Sequence, residues 1–324
     1  MIENFDSYLF VLLGLIFLLG GGHFLVSSSV GIALKYKVST MVIGLTLVSF
    51  ATSAPELLVS VIAAFNDHPD IALGNVVGSN IANVGLILGL TALLFTLPVS
   101  GKAYRKDWYF LVAITLLVYV MLWSGYTIYW YEGLVLVGIL VYFNIYKIRK
   151  AKKENSSIIE GEIDFKSADL PLWRLIAELC FGVVGLYFGA DFLVNGATDI
   201  AQDYEISERV VSVSVVALGT SLPELVASVV AARKGQKDLA IGNVVGSNIF
   251  NILGVIGFTS IVSDIRVEDI KILQIDFVWV IGFTLVLYPL AILFNKNSLG
   301  KRAGGILFSA YLIYMIILVI NKGS

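Results

Sequence analysis

The chain reads as an all-α membrane protein, with ten transmembrane helices forming two inverted five-helix repeats in which helices 2 and 7 are broken. Three observations lead there. The 324 residues are 58% hydrophobic and 14% charged, with a mean hydropathy of +0.88, whereas an ordinary soluble domain has about 25% charged residues. Lysine and arginine collect on alternate loops. One segment of the sequence occurs twice, 168 residues apart.

The composition also excludes several classes. The 22 Lys and Arg against 24 Asp and Glu leave no basic excess for nucleic acid. The single cysteine, Cys180, rules out a disulfide framework and a thiolate metal cluster, and His23 and His68 are too few for a multi-histidine zinc site.

A spanning helix needs about 20 mostly apolar residues. Ten segments qualify: 8–34, 39–65, 71–97, 107–124, 127–148, 172–200, 207–232, 239–262, 273–294 and 303–320. The first is too long for a cleaved signal peptide and is preceded by Glu3 and Asp6 rather than a basic stretch. One set of alternate loops holds only Arg209, Arg266, Lys271 and Lys322, and every other Lys and Arg lies in the opposite set. By the positive-inside rule the basic set is cytoplasmic and both termini face outward. Residues 149–171 are polar, mixed in charge and without apolar periodicity, so they read as a cytoplasmic linker between halves 1–148 and 172–324. The acidic run Glu160, Glu162, Asp164 within it reads as a solvated stretch.

The repeat aligns 48–83 with 216–251 without a gap, and 21 of the 36 positions are identical. Each half holds five spans, an odd number, so the second copy enters the membrane upside down. The loops agree: Asn66-Asp67-His68-Pro69-Asp70 lacks Lys and Arg, whereas its counterpart contains Arg233, Lys234 and Lys237. Inverted repeats are an architecture of secondary transporters, with the site near the midplane where the repeats meet.

Within the repeat, Glu56 and Glu224 occupy equivalent positions deep in apolar segments. A carboxylate at the bilayer centre costs several kcal/mol, so a symmetric pair points to a cation site. Pro55 and Pro223 lack an N–H and break the helix, freeing the carbonyls of Ala51 and Gly219 beside the hydroxyls of Thr52, Ser53, Thr220 and Ser221. Such breaks are tolerated at membrane depth only where they are buried or line a cavity. Carbonyls, hydroxyls and carboxylates together suit a hard cation such as Ca²⁺. Further along, Gly74/Gly78 and Gly242/Gly246 have the spacing of close helix packing. Ser79 and Asn83, like Ser247 and Asn251, lie four apart on one helix face and need a partner in an apolar setting. Two ionised glutamates are neutralised by one Ca²⁺ or two Na⁺, so one site can accept either in turn.

The segments ATSAPELLVS with GNVVGSNIAN, and GTSLPELVAS with GNVVGSNIFN, resemble the paired α-repeats of the cation/calcium antiporter superfamily, on the prokaryotic sodium/calcium exchanger side. The resemblance implies Na⁺-driven Ca²⁺ antiport by alternating access, with Na⁺ and Ca²⁺ as substrates, no cofactor and no obligatory protein partner. It implies a central cluster of Glu56, Glu224, Asn83 and Asn251. Thr52 and Thr220 would add ligand oxygens, Ser53 and Ser221 would line the broken turns, and Ser79 and Ser247 would flank them with the carbonyls of Ser49 and Ala217. It also implies that the first and sixth helices slide against the bundle.

Potassium-dependent and many prokaryotic members have Asp at the position of Asn251, and the amide here implies transport without K⁺. Ala51 replaces the glycine found at Gly219, which leaves the break intact. A Ca²⁺/H⁺ exchanger of the same superfamily and a cation channel built on the same oxygens stay open as alternatives. A membrane enzyme does not, because no His or Lys at membrane depth activates Ser53 or Ser221. His23 and Asp191, repeat equivalents, read as polar groups near a helix end or the bundle interior. The lack of a transit peptide and of a large regulatory loop suggests a prokaryotic inner membrane.

Overall fold

The computed structural model describes residues 5–99, 102–153, 170–203, 219–295 and 298–321. Eleven helical pieces run through them: α1 Phe5–Tyr36, α2 Thr40–Thr52, α3 Ala54–Phe65, α4 Pro69–Leu94, α5 Lys102–Gly125, α6 Trp130–Lys153, α7 Leu172–Asp203, α8 Leu222–Arg233, α9 Lys237–Val262, α10 Ile272–Phe294 and α11 Lys301–Asn321. Eight of them are long and apolar enough to cross a membrane, and the bent pair α2–α3 makes a ninth. The tenth expected span, 207–232, falls partly outside the described residues, as do most of the linker and its acidic run.

Burial separates the helices into a centre and a shell. The most apolar window of α9 is 100% buried and that of α4 78%, whereas α1, α5, α6, α7, α10 and α11 each bury under two fifths of theirs. The shell turns large apolar side chains outward, among them Leu19, Val120, Phe181 and Leu293. In water such a surface would drive aggregation, but a bilayer makes it the stable arrangement.

Because lipid tails are as apolar as leucine, these helices associate by close packing rather than by hydrophobic burial, and small residues set how near they come. A Cβ at Gly44 of α2 would lie 2.6 Å from the Leu239 carbonyl, and one at Gly242 of α9 only 2.5 Å from the Met41 carbonyl. At Gly246 it would lie 2.7 Å from the Leu45 backbone. The expected close packing at Gly242 and Gly246 is therefore present. At Gly74 and Gly78 no described atom lies within 4 Å of such a Cβ, and the repeat counterpart of α2, 208–220, falls outside the described residues except for 219 and 220. A second glycine seam joins α1 to α7, which run antiparallel. A Cβ would lie 2.7 Å from the Leu186 nitrogen at Gly21, 2.6 Å from the Leu25 nitrogen at Gly182, and 2.7 Å from the Leu18 nitrogen at Gly189.

Short extended pieces tie the helix ends together. Leu97–Pro98 pairs antiparallel with Ser298–Leu299, and Thr127–Ile128 with Ile265–Arg266. Each pairing joins a loop of the first half to a loop of the second, and the two are related by the repeat offset to within a few residues. Asp70, at the start of α4, accepts the backbone N–H groups of Glu268 and Asp269 at 2.9 and 2.8 Å.

Candidate cation site

Two local features of the backbone build the site. The first is the break between α2 and α3, a bend of 44°. Ser53 sits in it with φ −88° and ψ 7°, and Ser221 adopts φ −94° and ψ 3° at the equivalent position before α8. Pro55 and Pro223 fall in the first two positions of the helices that follow, where a missing N–H costs nothing. Glu56 and Glu224 come next, in the first turns of α3 and α8. There the orphan N–H groups and the positive end of the helix dipole favour an anion.

The second feature went unseen in the sequence. α4 passes into a π-helical stretch at Asn83–Leu88 and α9 into one at Asn251–Val255. Both begin at the asparagines that end the repeated motif. The wider turn shifts each asparagine relative to the α-helical face before it, a distortion often found at functional sites. α2 holds a third such stretch, at Gly44–Val48.

The structure buries most of the expected residues, and the helices that carry Glu56 and Glu224 touch the stretches that begin at Asn251 and Asn83 respectively. Thr52, Ser53, Glu56, Asn83, Ser221, Glu224, Ser247 and Asn251 are all at most 2% exposed, in a protein whose carboxylates otherwise lie mostly at the surface. Ser49 and Ser79 are buried too, and Thr220 is half-buried. Glu56 lies within electrostatic reach of Glu224. The repeats cross-connect: Ser53 Oγ of the first donates to Glu224 Oε1 of the second at 2.9 Å. The reciprocal contact is not made, and Ser221 Oγ and both Glu56 carboxylate oxygens are buried with no protein partner among the described residues. The same holds for Glu224 Oε2, Ser247 Oγ and both side-chain polar atoms of Asn83 and Asn251. The Ser49 carbonyl accepts the Ser53 N–H at 2.9 Å and the Thr52 hydroxyl at 3.4 Å, so it is already engaged within its own helix. Ala217 lies outside the described residues. His23 and Asp191 are exposed rather than interior, and the His23 carbonyl accepts Lys234 Nζ at 3.3 Å.

Two further pairs belong to the site. Asn75 Nδ2 donates to the Glu56 carbonyl at 3.1 Å and to Ser60 Oγ at 2.9 Å. Asn243 Nδ2 makes the equivalent bonds to the Glu224 carbonyl at 3.4 Å and to Ser228 Oγ at 3.0 Å. These asparagines pin the glutamate-bearing helices to α4 and α9. Asn243 also accepts the Thr52 hydroxyl at 3.2 Å, joining the second repeat to the broken turn of the first. Their signal was present, since Asn75/Asn243 and Ser60/Ser228 are identities of the repeat, but nothing in the sequence tells an asparagine that clamps a backbone from one that packs. Replacing Asn243 by Ala is expected to destabilise the protein by about 1–3 kcal/mol, the cost of unmaking buried hydrogen bonds. Thermal unfolding of the purified variant measures it, and an unchanged midpoint would refute the clamp.

Among the described residues no three of His, Cys, Asp and Glu cluster. The donors gathered here are two carboxylates surrounded by neutral hydroxyl and amide oxygens. That is a ligand set for hard cations and a poor one for transition metals.

Comparison with known proteins gives a consistent picture. The sequence profile described as sodium/calcium exchanger protein matches residues 7–149 and again 175–320. The chain is 32% identical to sodium/calcium exchanger MaX1 of Methanosarcina acetivorans, over 96% of this chain and 98% of that protein. It is 26% identical to inner membrane protein YrbG of Escherichia coli, over 95% of each. A solved structure of the sodium-calcium exchanger NCX_Mj, soaked with 10 mM Na⁺ and zero Ca²⁺, superposes with a TM-score of 0.82 at 30% identity, covering 97% of this chain and 99% of that one. With a profile matching both halves and relatives aligned along nearly the whole length, this integral membrane protein belongs to the sodium/calcium exchanger protein family, transporters rather than enzymes.

Proposed function

We propose that this protein is a secondary active antiporter that exchanges Na⁺ for Ca²⁺ across a membrane by alternating access, without K⁺. One observation carries the reading: the buried oxygens gathered around Glu56 and Glu224 that no described protein group satisfies. Each such group costs about 1–3 kcal/mol when left unpaired, more if charged. A cation shared among them satisfies them together. Glu56 and Glu224 then supply the charge, and Asn83, Asn251, Thr52 and Thr220 supply neutral oxygens. Ser53, Ser221, Ser79 and Ser247 complete the shell, with the carbonyls of Ser49 and Ala217 at its edge. The similarity to MaX1 and NCX_Mj, both named sodium/calcium exchangers, supports Na⁺ and Ca²⁺ as the ions, and the amide of Asn251, where an acid would add charge, supports independence from K⁺.

Charge explains the coupling. With both glutamates ionised the empty site carries two negative charges, which resist passage through an apolar barrier. One Ca²⁺ or two Na⁺ cancel them, so only the loaded protein reorients, and transport becomes exchange. Two halves, 1–148 and 172–324, inserted in opposite senses as ten spans, give outward-open and inward-open states of similar energy. The antiparallel α1–α7 pair is the natural moving part. Its seam is backbone against backbone at Gly21, Gly182 and Gly189, and aromatic rings bridge it, Phe10 and Phe17 meeting Phe192 and Phe24 meeting Phe181, so the two helices travel as one unit. The loop charges support a basic cytoplasmic face with both termini outside, and the YrbG relative supports an inner-membrane location.

Proteoliposomes loaded with Na⁺ and diluted into ⁴⁵Ca²⁺ test the proposal. Uptake is expected only with an outward Na⁺ gradient, and unchanged by K⁺. Uptake driven by a pH gradient and indifferent to Na⁺ would identify a proton-coupled exchanger instead. Flux without any counter-ion would identify a channel.

A further inference from the structure

The two glutamate-bearing helices are covered unequally. On α8, Val226 and Val230 are half-buried, and α1 lies on them. A Cβ at Gly22 would stand 2.7 Å from Val226 Cγ1 and 3.3 Å from Val230 Cγ2. Their repeat counterparts on α3, Leu58 and Ile62, are 55% and 57% exposed. A polar contact stands beside the covered face. Lys234, at the C-cap of α8, reaches α1, where its Nζ donates to Ser27 Oγ at 2.6 Å and to the His23 carbonyl at 3.3 Å. A lysine suits this position, because the unpaired carbonyls at the end of a helix favour positive charge.

The first repeat does not duplicate this contact. Lys234 corresponds to Asn66, and His23 and Ser27 correspond to Asp191 and Asn195. These three counterparts are all exposed, and an asparagine lacks the reach of a lysine. The contact also joins two bodies. α1 and α7 form the pair read above as the moving part, whereas Asn243 pins α8 to α9 in the buried centre. Lys234 bridges them at the basic end of the molecule, which the loop charges mark as cytoplasmic. Lys35 makes a bond of a different kind. Its Nζ donates to the Leu170 carbonyl at 3.1 Å, just before α7, and so stays within the moving pair. When α1 leaves α8, the bond at Lys35 travels with it and the bonds at Lys234 must break.

We infer that Lys234 is a positioning residue for transport: it latches α1 onto α8 and favours the state in which the site is closed toward the cytoplasm. The inference rests on the alternating-access reading above. The test uses the full-length protein in membrane vesicles, with Cys180→Ala and Val226→Cys placing a single thiol beneath α1. A membrane-impermeant maleimide added to inside-out vesicles should label that thiol slowly. Labelling should quicken on the order of tenfold in Lys234→Met, which keeps the stem but loses the charged donor. Lys234→Arg, which still reaches Ser27, should restore the slow rate, and Lys35→Met should leave it unchanged. With the thiol moved to α3 by Leu58→Cys, labelling of right-side-out vesicles should instead slow in Lys234→Met, as α7 covers the face that α1 has left. A Lys234→Met rate equal to the parent would overturn the latch. So would faster labelling of both thiols, which marks a loosened protein rather than a shifted equilibrium. If Lys234→Met does not fold, Ser27→Ala should move both rates in the same directions by roughly threefold, and no movement overturns the latch. The parent also tests the underlying reading, because its Val226→Cys thiol should label faster with Ca²⁺ than without ions. Absence of that difference would sink alternating access and the latch with it, whereas its presence beside an unresponsive Lys234→Met would sink the latch alone.

Discussion

Glu56→Gln is expected to lower Na⁺-dependent Ca²⁺ uptake by about a hundredfold or more, while raising the stability of the ion-free protein. Both effects follow from one arrangement. Glu56 and Glu224 are fully buried and within electrostatic reach of each other, and neither Glu56 oxygen has a protein partner among the described residues. Without an ion, two acids share an apolar interior, and removing one relieves their mutual repulsion. With an ion, the same substitution deletes a charged ligand. A loss of roughly 3 kcal/mol, the upper range for a charge-assisted bond, corresponds to about a hundredfold in affinity. Ca²⁺ at a hundred times its Kd should stabilise the wild type by about 2.7 kcal/mol and the variant hardly at all. Glu224→Gln should lose transport equally but gain less ion-free stability, because Glu224 already accepts a hydrogen bond from Ser53. Thermal unfolding with and without Ca²⁺, beside the uptake assay, measures all three quantities. A Glu56→Gln protein that transports normally would sink the site.

Gly242→Ala is expected to be the most damaging single-methyl change in the central helices. The new Cβ would lie 2.5 Å from the Met41 carbonyl, 3.1 Å from the Leu45 nitrogen and 3.2 Å from Gly44 Cα. These are backbone atoms of α2 and cannot turn aside as a side chain would. α2 must therefore move off α9, at a cost of about 1–3 kcal/mol for overpacking. The same movement carries Thr52 away from Asn243 and Ser53 away from Glu224, contacts of 3.2 and 2.9 Å. Transport should thus fall further than stability alone predicts. Gly138→Ala is the control: it lies on the exposed face of α6, where no described atom approaches within 4 Å. Its unfolding midpoint and uptake should match the wild type. Equal behaviour of the two variants would show that the α2–α9 seam does not hold the site.

Much of this molecule was legible in its residues. With α2–α3 taken as one span and α8 set aside, because its segment falls partly outside the described residues, the helices begin and end within about five residues of the apolar segments, because a lipid interior forces every backbone polar group into its own helix. The break between α2 and α3 was legible from Pro55, whose missing N–H is a local chemical fact. Glu56 and Glu224 stood out because a carboxylate in an apolar run needs a reason. Asn75 and Asn243 did not, although the repeat marks them equally, because a backbone clamp and a packing contact use the same side chain. The π-helical stretches at Asn83 and Asn251 were also hidden, since no residue there marks them as a proline marks a break.

The sequence by itself therefore determined the membrane class, the repeat, the position of the α2–α3 break and the pair of acids. Each depends on chemistry within a turn or two of helix, or on comparing the chain with itself. Only the tertiary structure decided which serine meets which glutamate. Ser53 and Ser221 stand in matching T-S-x-P-E motifs, yet Ser53 reaches Glu224 across 171 residues while Ser221 donates to no described group. α2, which Ser53 directly follows, lies backbone against backbone on α9 at Gly44 and Gly242. Helix separation at the ångström scale comes from many packed atoms at once, and no local stretch of sequence specifies it.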